Sequence, residues 1–303
     1  MNSNLTPPID LTVVLYRSAR FVPALTEGIK AQTYPSSSLR LWFVDNAGGD
    51  GAAEELAARF KGWPGGVVLL PLRNNIGFTG GNNAALRLQK APYALLLNPD
   101  TRLKPDCVER LVARAQQDPR AGIVEPRQEP REHPKPFDRV TGETSWCSLG
   151  CALIRREALE AAGLLDDLFF LYCEDVDFSW RVRLRGFRCL YEPSAAYEHF
   201  TGDSGRSSRA EVYHAFRNQY FLRRIYGSPA RAEGKRVWWL LRSWACAHPL
   251  RDGAVIREAL RDGAKERDNL DRRRRSLPGS SPWIGFSSVH LGPRRMPAPC
   301  PPS

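Results

Sequence analysis

The stretch Tyr93-Ala94-Leu95-Leu96-Leu97-Asn98-Pro99-Asp100 decides the fold class. Its first five residues form a continuous apolar run, which is typical of a strand buried on both faces of a parallel sheet. Asn98 and Asp100 follow directly, so a carboxylate is placed at the carboxyl end of that strand. Open α/β sheets bind their ligands at this edge. The stretch therefore predicts an α/β protein with a ligand site after the strand.

Strand-like and helix-like segments alternate on either side of this stretch. The predicted strands are 11–16, 39–45, 67–72, 93–98 and 122–126. The predicted helices are 21–31, 51–60, 81–90 and 105–117, the last of which is opened by Pro105 and closed by Asp118-Pro119. This βαβα order predicts a mostly parallel sheet with helices on both faces.

The second half is less regular. Residues 127–142 combine prolines and mixed charges without periodicity, which predicts a mobile surface loop. Strand character returns at 146–154, and helices are predicted at 156–161, 174–185, 210–226 and 231–248. Residues 201–209 are rich in Gly and Ser and are interpreted as a flexible lid. The arginine-rich end after Asp271 is predicted to be disordered.

Composition limits the function classes. The 303 residues are 42% hydrophobic and carry a formal net charge of +11, so the chain can bury one large core or two modest ones. The charge indicates an anionic partner such as a nucleotide diphosphate, an acidic lipid or a nucleic acid. Part of it is segregated in the arginines at 272–275, 294 and 295. No nucleic-acid recognition motif accompanies it, so we expect no specific nucleic-acid binding.

Cysteine usage and hydropathy bear on location. The seven cysteines are scattered without a C-x-x-C pair, which argues against a disulfide framework or structural zinc and favours a reducing cytosol. The first ten residues lack a secretory-signal pattern, and no stretch reaches the roughly 20 apolar residues of a membrane span. Residues 237–250 include Trp238 and Trp244 but are interrupted by Arg242. They are interpreted as a buried packing helix or, alternatively, as an interfacial helix.

Two polar motifs follow the second and third predicted strands. Asp45-Asn46 can hydrogen-bond a base or ribose edge, or can form an Asx turn that merely ends the strand. The glycine-rich segment 75–83 opens a helix, where backbone can approach a ligand and the helix N-terminus favours a phosphate. It lacks the G-x-G-x-x-G order and follows the third strand, so a nicotinamide site is a poor fit.

Acidic residues dominate the remaining motifs. Asp100 is an oxygen ligand of the kind that Mg²⁺ or Mn²⁺ prefers, although it also fits a capped turn. Glu174-Asp175-Val176-Asp177 places three acids together, and their repulsion can raise one pKa toward that of a general base. Acids also favour the first turn of a helix for dipole reasons. His199 is a candidate metal ligand, with a structural role as the alternative.

Taken in order, these motifs resemble one family. They are Val44-Asp45-Asn46, Asn75-x-Gly77-Phe78-x-Gly80-Gly81-Asn82-Asn83, Leu97-Asn98-Pro99-Asp100-Thr101, Gly150-Cys151-Ala152, Phe169-Phe170-x-Tyr172-x-Glu174-Asp175-x-Asp177, Trp180-Arg181 and His199. The series is similar to the inverting nucleotide-sugar glycosyltransferases of family 2, which have the Rossmann-like GT-A fold. Within them, residues 11–226 are most similar to bacterial rhamnosyltransferases of surface polysaccharide synthesis, which includes cell wall and lipopolysaccharide.

The resemblance implies a role for each matching residue. Tyr16, Asp45, Asn46 and Asn75 would lie at the nucleotide, and the wall beside nucleotide and donor sugar would be shaped by Gly77, Phe78, Gly81 and Asn82. Asn98 and Asp100 stand at the D-x-D position, where Asp100 would bind a divalent cation, Mg²⁺ or Mn²⁺, assisted by His199. Asp175 would be the catalytic base with Glu174 near the acceptor. The acceptor-side or supporting residues would be Gly150, Cys151, Asp177, Trp180, Arg181 and, as a phosphate contact in the lid, Arg206.

The chain departs from the family pattern in three places. Arg17 stands where Asn is common, and Gly48-Gly49 stands where hydroxyl side chains are usual. Asn98 replaces the first acid of D-x-D, which leaves one carboxylate for the metal and puts strict ion dependence in question. A catalytically inactive module that binds a glycan or nucleotide is therefore the alternative from another class.

The resemblance also implies substrates and a division of the chain. The donor would be dTDP-rhamnose, with UDP-galactofuranose or another UDP-hexose as the alternative, and the acceptor a glycan or a polyprenyl-diphosphate-linked lipid. The enzyme would then be cytoplasmic, with peripheral contact to the inner membrane face.

We divide the chain into an N-terminal extension (1–10), a nucleotide-sugar-binding half (11–126), an acceptor-binding and catalytic half (127–209), C-terminal helices (210–271) and a basic tail (272–303).

Overall fold

The computed structural model describes residues 6–133, 135–200, 208–245 and 253–278. Its strands are β1 Ile9–Leu15, β2 Leu39–Asp45, β3 Val67–Pro71, β4 Tyr93–Leu97, β5 Thr101–Leu103, β6 Ala121–Glu129, β7 Glu143–Thr144, β8 Cys151–Arg155 and β9 Arg188–His199. Its helices are α1 Val22–Lys30, α2 Ala52–Arg59, α3 Gly77–Leu86, α4 Cys107–Gln117, α5 Arg156–Ala162, α6 Glu174–Leu184, α7 Ser208–Tyr226, α8 Pro229–Ala245, α9 Gly253–Lys265 and α10 Arg267–Ser276.

One sheet runs through the molecule in the order β3-β2-β1-β4-β8-β6-β9-β5, with β7 paired to β9. The first four strands are parallel to one another, and β6 is parallel to β9. The mostly parallel α/β architecture predicted from the sequence is confirmed. The antiparallel pairings, which the sequence did not indicate, are those of β8 with β4 and β6 and of the short β5 and β7 with β9. The predicted strand at 146–154 overlaps β8.

The central strand β4 shows how the sheet is covered. Leu95 and Leu97 pack in the cluster formed with α1, α2 and α4, whereas Ala94 and Leu96 pack in the cluster formed with α3, α5 and α6. Successive strand side chains point to opposite faces. Both faces of β4 are therefore buried, which explains why its residues are apolar throughout.

Strand β9 was not predicted, yet it carries His199 to the site. Its burial is interrupted at 192–194, and its pairing with β6 shifts register between Pro126 and Arg127. The interruption removes the continuous apolar run by which buried strands are recognised. Because β5 pairs with β9, Thr101 lies opposite His199. This pairing brings the chain near residue 100 beside the histidine.

The prediction of a mobile loop at 127–142 was wrong over part of its length. Strand β6 continues through Glu129, so the boundary proposed between residues 126 and 127 falls inside a strand. Lys135 is also buried, in an ion pair with buried Glu125. A lysine in a proline-rich segment normally indicates solvent exposure, and only the folded chain supplies the carboxylate that offsets its charge.

The C-terminal helices form a packed unit. Glu233 of α8 accepts hydrogen bonds from Tyr220, Arg224, Arg236 and Arg267. Burial opposes ionisation, but the bonds from Arg267, Tyr220 and Arg236 lower the pKa of Glu233 to about 2. The prediction of disorder directly after residue 271 was wrong, since α10 continues to Ser276. Across the described ranges, every helix is too short or too polar to span a bilayer.

Helix α3 starts at Gly77, earlier than the predicted 81–90, and packs closely on β1 at Gly81. A Cβ on Gly81 would lie 2.6 Å from Val14 Cγ1. Contacts this short require the helix or the strand to move. Glycine at 81 therefore permits the close approach of α3 to β1.

We predict that Gly81→Ala lowers the free energy of unfolding by about 1–3 kcal/mol, because the added methyl overpacks this contact. Gly234 in α8 is the control, since no atom lies within 4 Å of its Cβ position. Gly234→Ala should raise the same free energy by up to about 1 kcal/mol through helix propensity. Denaturant unfolding measures both, and equal effects at the two positions would contradict the close packing at Gly81.

Candidate active site

The candidate site lies where β1, β2 and β4 end. Tyr16 directly follows β1 and is 42% exposed, with the Arg17 guanidinium 5.3 Å from its ring centroid. Asp45, the last residue of β2, is partly exposed, and its Oδ1 accepts a hydrogen bond from Gly48 N at 3.0 Å. An accessible aromatic ring and carboxylate at neighbouring strand ends suit a base and a ribose.

Asn46 lies behind this edge and is only 2% exposed. Its Nδ2 donates to Asn75 Oδ1 at 3.0 Å and to Gly77 O at 3.1 Å, and its Oδ1 accepts from Ile76 N at 3.0 Å. Both amide hydrogens are thus used within the protein. Asn46, together with Asn75, holds the turn at 75–77 in place, which is a positioning role.

The start of α3 is capped by a distant carbonyl. Phe78 N and Thr79 N donate to Phe170 O at 2.8 and 3.3 Å. Gly77 has φ +81, and a Cβ there would lie 2.4 Å from the same oxygen. The sequence predicted that glycine lets the backbone approach a ligand here, but the close neighbour of Gly77 is the Phe170 carbonyl of the protein itself. The Phe78 and Thr79 amides are therefore not presented to a phosphate.

The other predicted wall residue of α3 is internal. Asn82 is 1% exposed, and its Nδ2 donates to Phe78 O at 2.9 Å within the helix. With Gly81 packed on β1, this side of α3 supports the strand ends that carry Tyr16 and Asp45. Asn83, which the sequence reading left without a role, bonds Leu165 O at 2.8 Å and Asp167 Oδ1 at 2.7 Å.

Asp100, directly before β5, meets His199, the last residue of β9. Asp100 Oδ1 lies 3.2 Å from His199 Nε2, and both residues are buried. His199 Nδ1 lies 2.9 Å from Gln128 Oε1, which also accepts from Tyr197 OH at 2.8 Å. Gln128 Nε2 donates to Arg131 O at 2.6 Å, which sets the amide orientation. Gln128 was not among the predicted residues, because its segment was taken for a surface loop.

This network fixes one proton of the histidine. Gln128 Oε1 is an acceptor, so Nδ1 of His199 carries a proton, and Nε2 is the nitrogen that faces Asp100. An imidazole nitrogen beside a carboxylate oxygen, with the other ring nitrogen held by a second residue, is a donor arrangement that suits a divalent cation. In the described part of the chain, no cluster of three or more His, Cys, Asp or Glu side chains is placed to hold a metal. A cation held by Asp100 and His199 would therefore take its remaining ligands from oxygens of substrate or water.

Asn98 and the residues at the start of β8 are joined next to Asp100. Asn98 N donates to Gly150 O at 2.8 Å. A Cβ on Gly150 would lie 3.3 Å from Tyr197 OH. Cys151 is buried, and burial raises its thiol pKa well above the usual range, so it is unsuited to nucleophilic chemistry. These residues shape the site and do not react in it.

A strained turn precedes the acidic cluster. Phe170, Tyr172 and Cys173 have φ values of +49, +69 and +68, a region that residues other than glycine rarely adopt. Each such residue costs on the order of 1–3 kcal/mol and persists only where surrounding contacts hold it. We name residues 169–173 the strained turn.

Asn218 of α7 holds the strained turn through hydrogen bonds to its carbonyl oxygens. This fully buried side chain donates from Nδ2 to Phe169 O at 2.7 Å and to Leu171 O and Tyr172 O at 2.8 Å. Tyr172 OH also donates to Glu211 Oε1 of α7 at 3.1 Å. Sequence reasoning missed Asn218, although an amide two residues before the apolar run 220–222 was an available signal.

Asp175 follows the strained turn in the first turn of α6. It is partly exposed, and its Oδ1 accepts from Val176 N at 2.8 Å. Burial raises the pKa of its carboxyl to about 6, the Val176 amide and the Lys135 charge oppose the rise, and Glu125 adds to it. The predicted direction matches, but the largest cause is burial and not repulsion within the acidic cluster. A carboxyl with this pKa is suited to general base catalysis near neutral pH.

The other acids of the cluster are internal. Asp177 is 2% exposed, accepts from Arg181 Nε at 2.9 Å, and accepts from Tyr226 OH at 2.8 Å. Trp180 is fully buried, with its ring edge-on to Tyr226 at 4.9 Å. Glu174 is 6% exposed. These residues tie α6 to α7, so the accessible carboxylate of the cluster is that of Asp175.

A buried polar cluster lies beside the site. Glu125 pairs with Lys135, whose Nζ also donates to Trp146 O at 2.8 Å. The pair and Gln128 line a cavity of about 30 Å³, roughly the volume of one water molecule. Arg206, the predicted phosphate contact, lies outside the described residues, as does most of the predicted lid.

Comparison with known proteins identifies a family. The sequence model described as Glycosyl transferase family 2 matches residues 10–163, about half of the chain. A curated relative, the N-acetylglucosaminyl-diphospho-decaprenol L-rhamnosyltransferase of Mycobacterium tuberculosis, is 26% identical over 317 aligned positions, which cover 88% of this chain and 98% of that protein.

Solved structures share the fold. The mannosyltransferase of Pyrobaculum calidifontis, in complex with GDP-Man and Mn²⁺, has a TM-score of 0.59 at 18% identity and covers 89% of this chain and 85% of its own. TarS 1-349 of S. aureus, in complex with UDP-GlcNAc, has a TM-score of 0.60 at 14% identity and covers 88% of this chain and 83% of its own. At these identities the likeness shows the architecture alone.

We predict that Asn218→Ala slows catalysis by about 10- to 100-fold, because three carbonyls of the strained turn lose their donor and Asp175 shifts. Asn269→Ala is the control, since that amide donates to Glu266 at 3.1 Å in α10, away from the turn. Steady-state rates are measured on both variants below their unfolding temperatures. An unchanged rate for folded Asn218→Ala would contradict the positioning role.

We predict a pH dependence from the raised pKa of Asp175. Only the ionised carboxylate accepts a proton, so kcat/KM should rise with pH through about 6 and level off above it. The profile is measured at saturating metal and low acceptor concentration. A flat profile across this range would exclude Asp175 as the titrating base.

Proposed function

The chain belongs to glycosyl transferase family 2, and we propose that within this family it transfers rhamnose from dTDP-rhamnose to a polyprenyl-diphosphate-linked glycan, with inversion at the anomeric carbon. The observation that carries the proposal is the combination of two features that both adjoin the buried Glu125–Lys135 pair and Gln128. Asp175 is a partly exposed carboxyl with a pKa raised to about 6, and Asp100 lies with His199 in an arrangement suited to a cation.

Asp175 acts as the general base. Its carboxylate takes the proton of the acceptor hydroxyl as that oxygen attacks the anomeric carbon. A single in-line displacement by an oxygen from the face opposite the leaving group inverts the configuration. Burial of Asp175 raises its affinity for the proton, while the hydrogen bond from the Val176 amide and then the Lys135 charge limit the rise of its pKa.

Asp100 and His199 are proposed to hold the Mg²⁺ or Mn²⁺ ion. When bound, such an ion neutralises negative charge on the departing nucleoside diphosphate. Gln128 keeps Nδ1 of His199 protonated so that Nε2 faces Asp100. Tyr16 and Asp45 are proposed to bind the base and ribose from the opposite side of the edge.

The substrate assignment draws on the relatives. The mycobacterial relative is named for L-rhamnosyl transfer to N-acetylglucosaminyl-diphospho-decaprenol, and its alignment spans nearly its whole length. The structural neighbours were solved with GDP-Man and UDP-GlcNAc. A UDP-hexose donor, including UDP-galactofuranose, is therefore the second candidate. A polyprenyl-linked acceptor would place the reaction at the cytoplasmic face of the membrane.

Calorimetric titration with dTDP, UDP and GDP, each with and without Mn²⁺, tests the donor. We expect metal-dependent preference for dTDP. Preference for UDP would move the donor to a UDP-hexose, and binding of none of the three would overturn the transferase proposal. Asp100→Asn should remove the Mn²⁺-dependent part of the affinity. Asp106→Asn, which alters an exposed carboxylate paired with Arg110, is the matched control.

Asp175→Asn separates an enzyme from an inactive binding module. The substitution keeps the size of the side chain and removes the proton acceptor, so nucleotide affinity should be retained while transfer falls by about 10²- to 10⁴-fold. Transfer is measured with the donor preferred in the titration. Equal transfer by the variant and the parent would exclude Asp175 as the base.

A further inference from the structure

Helix α8 exposes a contiguous apolar stripe. Val237, Trp238, Leu241 and Trp244 are 45%, 46%, 64% and 72% exposed, and their spacing places them on one helical face. Among the described residues, they are four of the ten large hydrophobic side chains left exposed. Single exposed apolar residues are ordinary, whereas a clustered patch indicates an interaction surface.

Cations surround this stripe. Lys235 Nζ lies 3.6 Å and the Arg242 guanidinium 5.3 Å from the Trp238 ring centroid. The guanidinium of Arg257 in α9 lies 3.9 Å from the Trp244 ring centroid. The cations thus lie over the rings of the exposed indoles. We name Val237, Trp238, Leu241 and Trp244, with Lys235, Arg242 and Arg257, the tryptophan–cation face.

The opposite side of α8 fixes the helix in the protein. Trp239 and Leu240 pack in the core cluster of the C-terminal helices, and Trp239 meets Phe216 of α7 edge-on at 5.4 Å. Glu233 is the one acidic residue of α8, and it is paired with Arg224, Arg236 and Arg267. The tryptophan–cation face therefore carries no acidic residue from α8 and is presented by an anchored helix.

We propose that the tryptophan–cation face binds the surface of an anionic lipid bilayer. Indole rings have an apolar body and a polar N–H, and they favour the boundary between headgroups and acyl chains. Lysine and arginine beside them reach anionic headgroups while their alkyl stems cover apolar surface. The net charge of +11 attracts the chain to the same surface. The sequence left two interpretations of this segment open, a buried packing helix and an interfacial helix. In this proposal α8 is both, with one side packed in the protein and the other at the bilayer surface.

Co-sedimentation of the full chain with vesicles tests the proposal. Phosphatidylcholine vesicles with and without phosphatidylglycerol are compared at low and high salt. We expect binding to the anionic vesicles that weakens with salt. Trp238→Ala/Trp244→Ala should reduce the partition coefficient by about tenfold or more through lost apolar burial. Lys235→Gln/Arg242→Gln should reduce it on anionic vesicles and weaken its salt dependence.

Matched variants separate this surface from general effects. Leu88→Ala/Val140→Ala removes two exposed apolar side chains elsewhere, which are 54% and 94% exposed. Arg40→Gln/Lys61→Gln removes two exposed cations elsewhere. Both controls should bind vesicles like the parent. Nucleoside diphosphate affinity, measured on every variant, confirms folding and is independent of vesicle binding because none of these residues lies in the candidate active site.

Three outcomes would overturn the proposal. Vesicle binding unchanged by the double tryptophan variant would assign the interaction to other residues, including the basic segment 279–303. Failure of the full chain to bind anionic vesicles at low salt would exclude the bilayer. A dimer in light scattering that the tryptophan variant converts to a monomer, without vesicle binding by either, would assign the face to contact between copies of this chain.

Discussion

The carbonyl oxygen of Phe170 is the contact on which the candidate site depends. It accepts from the first amides of α3, and it lies so close to Gly77 that a Cβ there would collide with it. The strained turn that carries it leads directly into α6 and Asp175. The proposed nucleotide edge and the proposed base are therefore held together by backbone contacts between segments that are distant in sequence. Asn218 supplies the opposing hydrogen bonds that keep the strained turn in its costly conformation.

Electrostatic roles are divided among carboxylates by their surroundings. Asp177 is paired with Arg181 and accepts a hydrogen bond from Tyr226 inside the protein, whereas Asp175 is partly exposed and has a raised pKa. Asp100 faces a histidine whose proton position is set by Gln128. The same side-chain chemistry thus serves structure, the proposed proton transfer and the proposed cation binding. Burial and the nearest charged partner decide which of these roles a carboxylate takes.

The C-terminal helices connect the site to the remainder of the molecule. Helix α7 contacts the strained turn through Asn218 and Glu211, and it packs against α8 through Phe216. Glu233 joins α7, α8 and α10 through a set of arginines. Because α8 is anchored on this side, its exposed indoles are presented in a fixed orientation. Support of the turn and presentation of the tryptophan–cation face therefore come from one helical unit.

The sequence by itself determined the α/β class, the parallel half of the sheet and the positions of Asp45, Asp100 and Asp175 at element ends, because apolar periodicity and turn residues are local signals. It also placed the chain in its family through the order of those motifs. Only the tertiary structure decided that β9 brings His199 to Asp100, that Gln128 fixes the proton on its Nδ1, and that a carbonyl caps α3. These outcomes depend on contacts between residues far apart in the chain, and no local pattern encodes which distant backbone or side chain will satisfy a buried polar group.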